Sequence, residues 1–246
     1  PGTRSLSAVA PLGDGFIAVG SVYDAGDAEP VIIASPDGRG YAGETPPVGG
    51  AGIQRYNDVC VAPDGTAVAV GVSGSTGGFD ITVGSRPAAG GGWYAATDDG
   101  SFSGPGSQQA YGCAAGDDGF VLVGSDDSSG GADARVWTSD DGVTWTELES
   151  GLLGGAGDQW ASAAASAPDG SWLVAGTDKA AGDGDIALWR ISSSGDISRR
   201  DRGEPALAGP GEQSVNNVAI DGDGHVTLAG NDYGRVGLWE SDTLDR

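Results

Sequence analysis

A short polar frame occurs five times in this chain and carries groups suited to hold a ligand rich in hydroxyl groups. It reads Gly-x-Gln, or Gly-x-Arg in the first copy, and three positions later comes Ser, Asn or Tyr. Amides and hydroxyls can exchange hydrogen bonds with sugar hydroxyls, and aromatic rings can cover the apolar side of a sugar. The predicted ligand-binding residues are therefore Arg4, Gln54, Tyr56, Asn57, Gln108, Tyr111, Gln159, Trp160, Gln213 and Asn216.

The frame glutamines also have a structural interpretation. A Gln amide can tie a loop to a neighbouring strand through hydrogen bonds with the backbone. Turn geometry explains the Gly of the frame but does not require the Gln. Both interpretations stay open at the level of sequence.

Carboxylates are the second residue type that could do chemistry. Glycoside hydrolysis needs an acid and a base or nucleophile, with carboxyl groups about 5–9.5 Å apart. The candidates are Asp58, Asp158 and Glu212, which occupy unlike positions in their repeats. The single histidine, His225, lies in a turn and supports no Ser-His-Asp arrangement.

Metal sites have weak support in the sequence. Two Cys and one His exclude a site built from thiolates and imidazoles. Two acidic loops could offer oxygen ligands to Ca²⁺, although neither fits an EF-hand. We expect solvated loops and no cofactor, with calcium as the alternative, at Asp126, Asp127 and Asp133 or at Asp178, Asp183 and Asp185.

The overall charge excludes some partners. The chain has 246 residues with 12 Lys+Arg and 35 Asp+Glu, a net charge of −23. Such a surface repels nucleic-acid phosphates and anionic membranes, and no apolar run approaches the roughly 20 residues of a membrane span. With no Met and Pro1 at its start, the chain is expected to be a processed or excised module.

The positioning elements follow from internal repetition. A short apolar strand ending in Gly follows a Gly-containing turn and ends at Gly20, Gly71, Gly124, Gly176 and Gly230. The period of about 52 residues is typical of propellers and solenoids. The repeat units are residues 1–50, 51–104, 105–155, 156–209 and 210–246.

Each unit reads as four short strands joined by turns. The second strand is almost continuously apolar, as expected for a strand buried on both faces. Because one such sheet cannot bury both of its faces alone, the units must pack on one another. The predicted fold is an all-β, five-bladed β-propeller of four-stranded antiparallel blades in a single domain, residues 1–246, with the last blade short of its fourth strand.

The stretch TSDDGVTW resembles the Asp-box of sialidase-type (BNR) propellers, Ser/Thr-x-Asp-x-Gly-x-Thr-Trp. Its fixed positions fall on Thr138, Asp140, Gly142, Thr144 and Trp145. The resemblance implies a structural hairpin in a secreted bacterial protein, in which Asp140 accepts backbone N–H groups, Gly142 is left-handed and Trp145 packs between blades.

Sialidase activity is not implied by this resemblance. A sialidase needs a cluster of arginines and a Tyr nucleophile, whereas only Arg4 and Arg55 lie near the strand entrances. Cys60 and Cys113 lie one repeat apart on neighbouring first strands. The sequence leaves open whether they form a disulfide or two buried thiols, because a slip of one residue reverses the face of a strand.

The predicted function is a non-catalytic recognition module, lectin-like, with a glycan or an extracellular protein as partner and no role in nucleic-acid binding or membrane insertion. The alternatives are a protein-interaction scaffold of a secreted assembly and a glycoside hydrolase with carboxylates at a central channel. In either case we expect a secreted protein that belongs to a larger chain or assembly.

Overall fold

The computed structural model describes residues 2–75, 77–202 and 204–243 and contains β-strands but no helix within them. Among these residues, no helix therefore has the length and apolar character that crossing a bilayer requires. The strands are β1 (Thr3–Leu12), β2 (Gly15–Asp24), β3 (Asp27–Ser35), β4 (Ala42–Glu44), β5 (Ile53–Val61), β6 (Ala67–Ser75), β7 (Gly78–Arg86), β8 (Tyr94–Ala95), β9 (Thr97–Asp98), β10 (Gln108–Gly116), β11 (Gly119–Asp126), β12 (Asp133–Ser139), β13 (Thr144–Glu147), β14 (Gln159–Ser166), β15 (Trp172–Asp178), β16 (Asp185–Ile191), β17 (Ile197–Arg199), β18 (Gln213–Ile220), β19 (Val226–Asp232) and β20 (Arg235–Ser241).

Consecutive strands pair as antiparallel meanders. One parallel bridge, Ala28 to Ile53, joins the first two meanders into an eight-stranded sheet of β1–β8. The other sheets have the orders β10-β11-β12-β13-β9, β14-β15-β16-β17 and β18-β19-β20. The described part of the last meander thus has three strands.

Turn chemistry explains why the strands reverse where they do. Gly65 and Gly170 adopt φ values of 95° and 79°, a left-handed region that favours glycine. The preceding Asp of each turn accepts the N–H two residues later, from Thr66 and Ser171 respectively. These two Asx turns lead into β6 and β15, the second strands of their units, and β15 is buried along most of its length.

The first strands of four units carry a β-bulge at one position. Pairing shifts by one residue between Leu6 and Ala8, and likewise in β5, β14 and β18. The extra residue is Ser7, Asn57, Ser162 or Asn216, the residue three positions after the Gln or Arg of the frame. A bulge bends its strand and redirects this side chain out of the regular alternation.

The chain divides into two compact units. The first contains Pro1–Leu122 and Thr138–Glu147, and the second contains Val123–Trp137 and Leu148–Arg246. Ile17, Ile32 and Tyr56 are central to a core cluster of the first unit. Ile186 and Leu228 belong to a core cluster of the second. The prediction that residues 1–246 form one domain stays a prediction.

The hairpin from Thr138 to Trp145 differs from the predicted one in its carboxylate. Asp141, not Asp140, accepts the N–H groups of Val143 and Thr144, both over 2.8 Å. Because these N–H groups bond to Asp141, the predicted role of Asp140 is wrong by one residue. Gly142 has the expected left-handed conformation, with φ at 71°.

Trp145 anchors this hairpin in the core of the first unit. Its side chain is fully buried, and its ring lies 6.5 Å from those of Phe102 and Phe120, between centroids. Its indole N–H donates to the carbonyl of Gly142. The Trp therefore satisfies its polar atom within its own turn while its ring fills the core.

The two cysteines form a disulfide, which answers the question that the sequence left open. Cys60 in β5 and Cys113 in β10 have Cα atoms 5.9 Å apart, within the range for a disulfide. Asp58 reinforces the same junction, because its carboxylate accepts the N–H of Cys113 over 2.9 Å and that of Val59 over 2.8 Å.

Replacing Asp141 with Ala should destabilise the protein by roughly 1–2 kcal/mol, because the turn loses a carboxylate that caps two N–H groups. Asp140→Ala is the matched control and should leave the free energy of unfolding unchanged. Urea denaturation followed by intrinsic tryptophan fluorescence measures both. An equal effect of the two substitutions would contradict the assignment of Asp141.

The same turn predicts a pH dependence. Partial burial raises the pKa of Asp141, but the N–H groups of Thr144 and Val143 outweigh it and the pKa is lowered overall. The stabilisation is therefore complete above the unfolded-state pKa of Asp and is lost as pH falls through the lower folded-state value. The difference in stability between wild type and Asp141→Ala should accordingly shrink on acidification.

Candidate active site

The four frame glutamines lie inside the protein, with exposed fractions between 1% and 6%. The Nε2 atoms of Gln54, Gln108 and Gln159 donate to the carbonyl three residues earlier, over 2.8–3.1 Å. Gln213 Nε2 donates to Asp232 Oδ1 over 3.3 Å. The amide nitrogens thus hold the ends of loops, as the structural interpretation expects.

The other predicted ligand-binding residues have diverse surroundings. Tyr56 is fully buried, and burial raises the pKa of its hydroxyl. Asn57 donates to the carbonyl of Ala110 over 2.7 Å, and Trp160 lies under the ammonium of Lys179, 5.3 Å from the ring centroid. The remaining three are partly or fully exposed: Arg4, Tyr111 and Asn216. Ligand binding by this set stays a prediction.

The three carboxylates predicted from the sequence as glycosidase candidates each form a hydrogen bond or ion pair with a neighbouring group. Asp58 binds two backbone N–H groups, and its burial raises the pKa of the carboxyl. Asp158 Oδ1 accepts the N–H of Ala132 over 3.0 Å. Glu212 forms a surface ion pair with Lys179 at 2.8 Å, with 63% of its own side chain exposed. Asp58 belongs to the first compact unit and the other two to the second.

A different group of carboxylates converges in the second unit around one arginine. Arg199 Nη2 lies 2.7 Å from Asp178 Oδ2, and Arg199 Nε lies 2.5 Å from Asp201 Oδ1. Only 9% of the Arg199 side chain is exposed, and its guanidinium stacks 4.8 Å above the ring centroid of Trp189. Charge-assisted hydrogen bonds and ring stacking together fix the position of this guanidinium.

Asp185 faces this group across the β15–β16 hairpin. Asp178, the last residue of β15, is the direct register partner of Asp185, the first residue of β16. Side chains of directly opposed residues lie on one face of the sheet, with Cβ atoms about 4.5–5.5 Å apart. The two carboxyl groups are therefore neighbours at one end of the sheet.

Local sequence chemistry explains this arrangement. Asp178 Oδ1 accepts the N–H of Ala180 over 2.9 Å, an Asx turn that starts the loop between β15 and β16. Gly182 continues the loop with a φ of 107°. Strand β17 then pairs Arg199 with Trp189 of β16, and the Arg199 side chain extends from there to the carboxylate of Asp178.

The carboxylates open into a cavity of about 340 Å³, at the small end of the range for ligand sites. Its polar lining comes from Asp178, Asp185, Arg199, Asp201, Arg202 and Glu204. Ile186 and Leu207 contribute an apolar wall. The cavity combines apolar surface with a few converging charged groups, as small-molecule sites do.

The pKa values of the facing pair shift in opposite directions. Burial raises the pKa of Asp178, but hydrogen bonds from Arg199, Ala180 and Gln159 and the charge of Arg199 lower it overall. For Asp185 burial raises the pKa, the N–H of Gly209 opposes this, and the nearby carboxylates add to the rise. Asp178 therefore remains ionised at a pH where Asp185 still carries a proton, the division that acid–base catalysis requires.

Sequence reasoning considered Asp178 and Asp185 only as members of an acidic loop that could hold calcium. It missed Arg199 and Asp201, which reach the pair through the antiparallel register of β15, β16 and β17. The usable signal was an Arg-Arg-Asp run, residues 199–201, one strand after two Asp residues that bracket a hairpin. The calcium alternative stays a prediction.

Comparison with known proteins finds similarity in structure but none in sequence. No protein-family model matches the chain, and no curated protein sequence matches it. The chain resembles the α-L-arabinanase of Penicillium chrysogenum, solved with arabinobiose, at 13% identity over 97% of this chain and 77% of that one, with a TM-score of 0.62. A glycosyl hydrolase from Bacteroides ovatus matches at 13% identity over 100% of this chain and 85% of that one, with a TM-score of 0.52.

A third similar structure is the extracellular domain of a protein named as a hybrid two-component system from B. thetaiotaomicron. It matches at 10% identity over 95% of this chain and 27% of that one, with a TM-score of 0.58. At such identities the likeness shows the fold alone, which is all-β and of the β-propeller type, as predicted. The Asp-box relationship and the number of five blades stay predictions.

The comparisons correct the predicted function. A non-catalytic, lectin-like module is the wrong prediction, because the similar solved structures are mostly glycoside hydrolases.

The Arg199 cluster makes a direct prediction. Arg199→Met should raise the pKa of Asp178 and destabilise the protein by roughly 2–4 kcal/mol, because two partly buried carboxylates lose their cation. Carboxyl-detected NMR titration and urea denaturation measure the two effects. Arg190→Met is the control, because it removes an ion pair with Asp169, whose side chain is about half exposed. An unchanged Asp178 pKa in Arg199→Met would contradict the role given to Arg199.

Proposed function

We propose that this chain is a glycoside hydrolase whose reaction is carried by Asp178 and Asp185. One observation carries the proposal: the two carboxyl groups face each other across β15–β16 at a cavity that also contains Arg199. The fold of the similar hydrolases supports it. The site lies at the end of one hairpin of the second unit and differs from the central-channel carboxylates predicted from the sequence.

The spacing favours a retaining mechanism. Directly opposed residues place their Cβ atoms about 4.5–5.5 Å apart, so their side chains can bring the two carboxyl groups to the separation of about 5–5.5 Å that retaining glycosidases use. Inverting enzymes need a wider gap, which leaves room for a water molecule between the carboxylate and the sugar. Asp178, held ionised by Arg199, is the nucleophile, and Asp185 is the acid.

In the first step Asp178 attacks the anomeric carbon, and the bond from that carbon to the glycosidic oxygen breaks. Asp185 donates its proton to the departing oxygen, so the leaving group departs as a neutral alcohol. The product is an ester between Asp178 and the sugar. Arg199 stays paired with Asp201 and keeps its charge beside the ester.

In the second step Asp185, now ionised, removes a proton from water. The resulting hydroxide equivalent adds to the anomeric carbon, and the bond to Asp178 breaks. Asp178 becomes a carboxylate again and Asp185 regains its proton. The small cavity fits the end of a glycan chain better than a long internal segment.

We also propose that the protein is secreted and acts on extracellular saccharide. The disulfide between Cys60 and Cys113 is typical of proteins in oxidising compartments. A likeness to an extracellular domain is consistent with this location.

The proposal is tested with a panel of aryl glycosides that includes pyranosides and arabinofuranosides. Asp178→Ala and Asp185→Ala should each lower kcat/KM on the active substrate by a factor of roughly 10² to 10⁴. Sodium azide should restore turnover in Asp178→Ala by taking the place of the nucleophile. Asp221→Ala, in an exposed turn, is the control and should retain wild-type activity.

The pH profile gives a separate readout. Activity requires Asp178 ionised and Asp185 protonated, so the rate should rise with pH as Asp178 ionises and fall as Asp185 does. Asp185→Ala should lose the falling limb on substrates with good leaving groups. The proposal is wrong if no glycoside in the panel is hydrolysed, or if Asp178→Ala retains full activity while its circular dichroism matches that of wild type.

A further inference from the structure

The carboxylate of Asp178 is held by donors from three parts of the second unit. Its Oδ1 atom accepts the N–H of Ala180 over 2.9 Å and an N–H of the Gln159 amide over 3.1 Å. Its Oδ2 atom accepts from Nη2 of Arg199 over 2.7 Å. A carboxylate offers about four lone-pair sites, two on each oxygen. Among the described contacts, both sites of Oδ1 are therefore occupied, whereas one site of Oδ2 is left.

Gln159 lies in the same row of the sheet as the two carboxyl groups of the candidate site. It is the register partner of Asp178, which in turn faces Asp185 of β16. Gln159 is 1% exposed. Its primary amide has two N–H donors, of which one binds the carbonyl of Ala156 over 2.8 Å and the other binds Asp178. The amide therefore cannot turn without breaking one of these bonds.

The glutamine frame does not by itself require a carboxylate partner. Gln54 makes the same bond to the carbonyl three residues earlier, but its register partner is Ser73. Attachment of the loop thus accounts for the bond from Gln159 to Ala156. The bond to Asp178 is additional, and it depends on which residue the register places opposite the glutamine.

The next meander repeats the amide–carboxylate pair without the facing acid. Gln213 donates to Asp232 over 3.3 Å, and the register partner of Asp232 in β20 is Arg235. Of the three rows compared, that of Gln159 alone combines an amide, an ionised carboxylate and a second carboxyl group.

We propose that Gln159 is a positioning residue for Asp178: its amide occupies Oδ1 and leaves Oδ2 as the oxygen that attacks the anomeric carbon. This inference rests on the proposed function. The torsion that turns an Asp carboxylate is broad, so a carboxylate bound only by Arg199 could present either oxygen. As the new bond forms from Oδ2 and the glycosidic oxygen departs with the proton of Asp185, Oδ1 becomes the carbonyl oxygen of the ester. It keeps its hydrogen bonds from Gln159 and Ala180.

Gln159→Leu tests the proposal, with kcat/KM and its pH profile as readouts. Loss of the donor should lower kcat/KM by roughly 10- to 100-fold, because the reacting oxygen is no longer held in place. It should also move the rising, acidic limb of the profile to higher pH, since the amide N–H favours the ionised form of Asp178. The charged groups that face Asp178, Asp185 and Arg199, stay unchanged.

Two further variants complete the experiment, and circular dichroism establishes that each is folded. Leu is close to Gln in size and removes an Oε1 atom that is buried without a hydrogen-bond partner among the described residues, so Gln159→Leu is expected to fold. Gln159→Glu keeps the shape of the side chain and replaces the donor with an acceptor, so it should lose at least as much activity. Asp232→Ala is the matched control: it breaks the equivalent bond of the next meander and should retain the wild-type kcat/KM and pH profile.

A folded Gln159→Leu variant with the wild-type kcat/KM overturns the proposal. So does a loss of kcat/KM that leaves the acidic limb in place, because release of the loop at Ala156 would cause that loss alone. Carboxyl-detected NMR gives a readout that does not need activity: the pKa of Asp178 should be higher in Gln159→Leu than in the wild type, and equal values overturn the proposal. Failure of the proposed function is distinguishable, because the wild type would then hydrolyse no glycoside or Asp178→Ala would remain active.

Discussion

The structure depends on side chains that satisfy the backbone of glycine-rich loops. Glycine gives these loops the left-handed turns they need but provides no side chain to hold them in place. Carboxylates at or just before the start of a strand hold these loops in place. Asp27 accepts the N–H of Gly52 over 2.6 Å, and Asp183 accepts that of Gly211 over 3.0 Å. Carboxylates thus hold specific backbone amides of these loops in place.

The candidate active site is also built from carboxylates that accept backbone N–H groups, but two of them bind an arginine as well. Asp178 and Asp201 each accept one backbone N–H, from Ala180 and Leu188, and then also share the guanidinium of Arg199. The cation keeps Asp178 ionised, while Asp185 receives no comparable partner among its described contacts and its pKa rises by burial. One well-placed arginine thus helps to shift the pKa values of two neighbouring carboxyl groups in opposite directions.

The sequence predicted the elements that local chemistry determines. The apolar second strands and the Gly-containing turns could be located because strand burial and left-handed turns have strong residue preferences. Asp140 was taken for Asp141 because adjacent carboxylates in a turn differ only in backbone geometry. The carboxylates around Arg199 were missed for a different reason. Their convergence depends on the register of three strands, and no spacing along the chain reports which residues a register places opposite each other.

The arrangement around Arg199 also bears on whether the acidic hairpin holds a metal ion or moves a proton. A calcium ion needs six to eight oxygen ligands and is favoured where carboxylates lack another cation. Asp178 and Asp201 already have one, at 2.7 Å and 2.5 Å, and a divalent ion between them would sit beside the positive guanidinium. Repulsion between the two cations opposes that position. Burial and the neighbouring carboxylates raise the pKa of Asp185, and a raised pKa suits a proton donor better than a metal ligand.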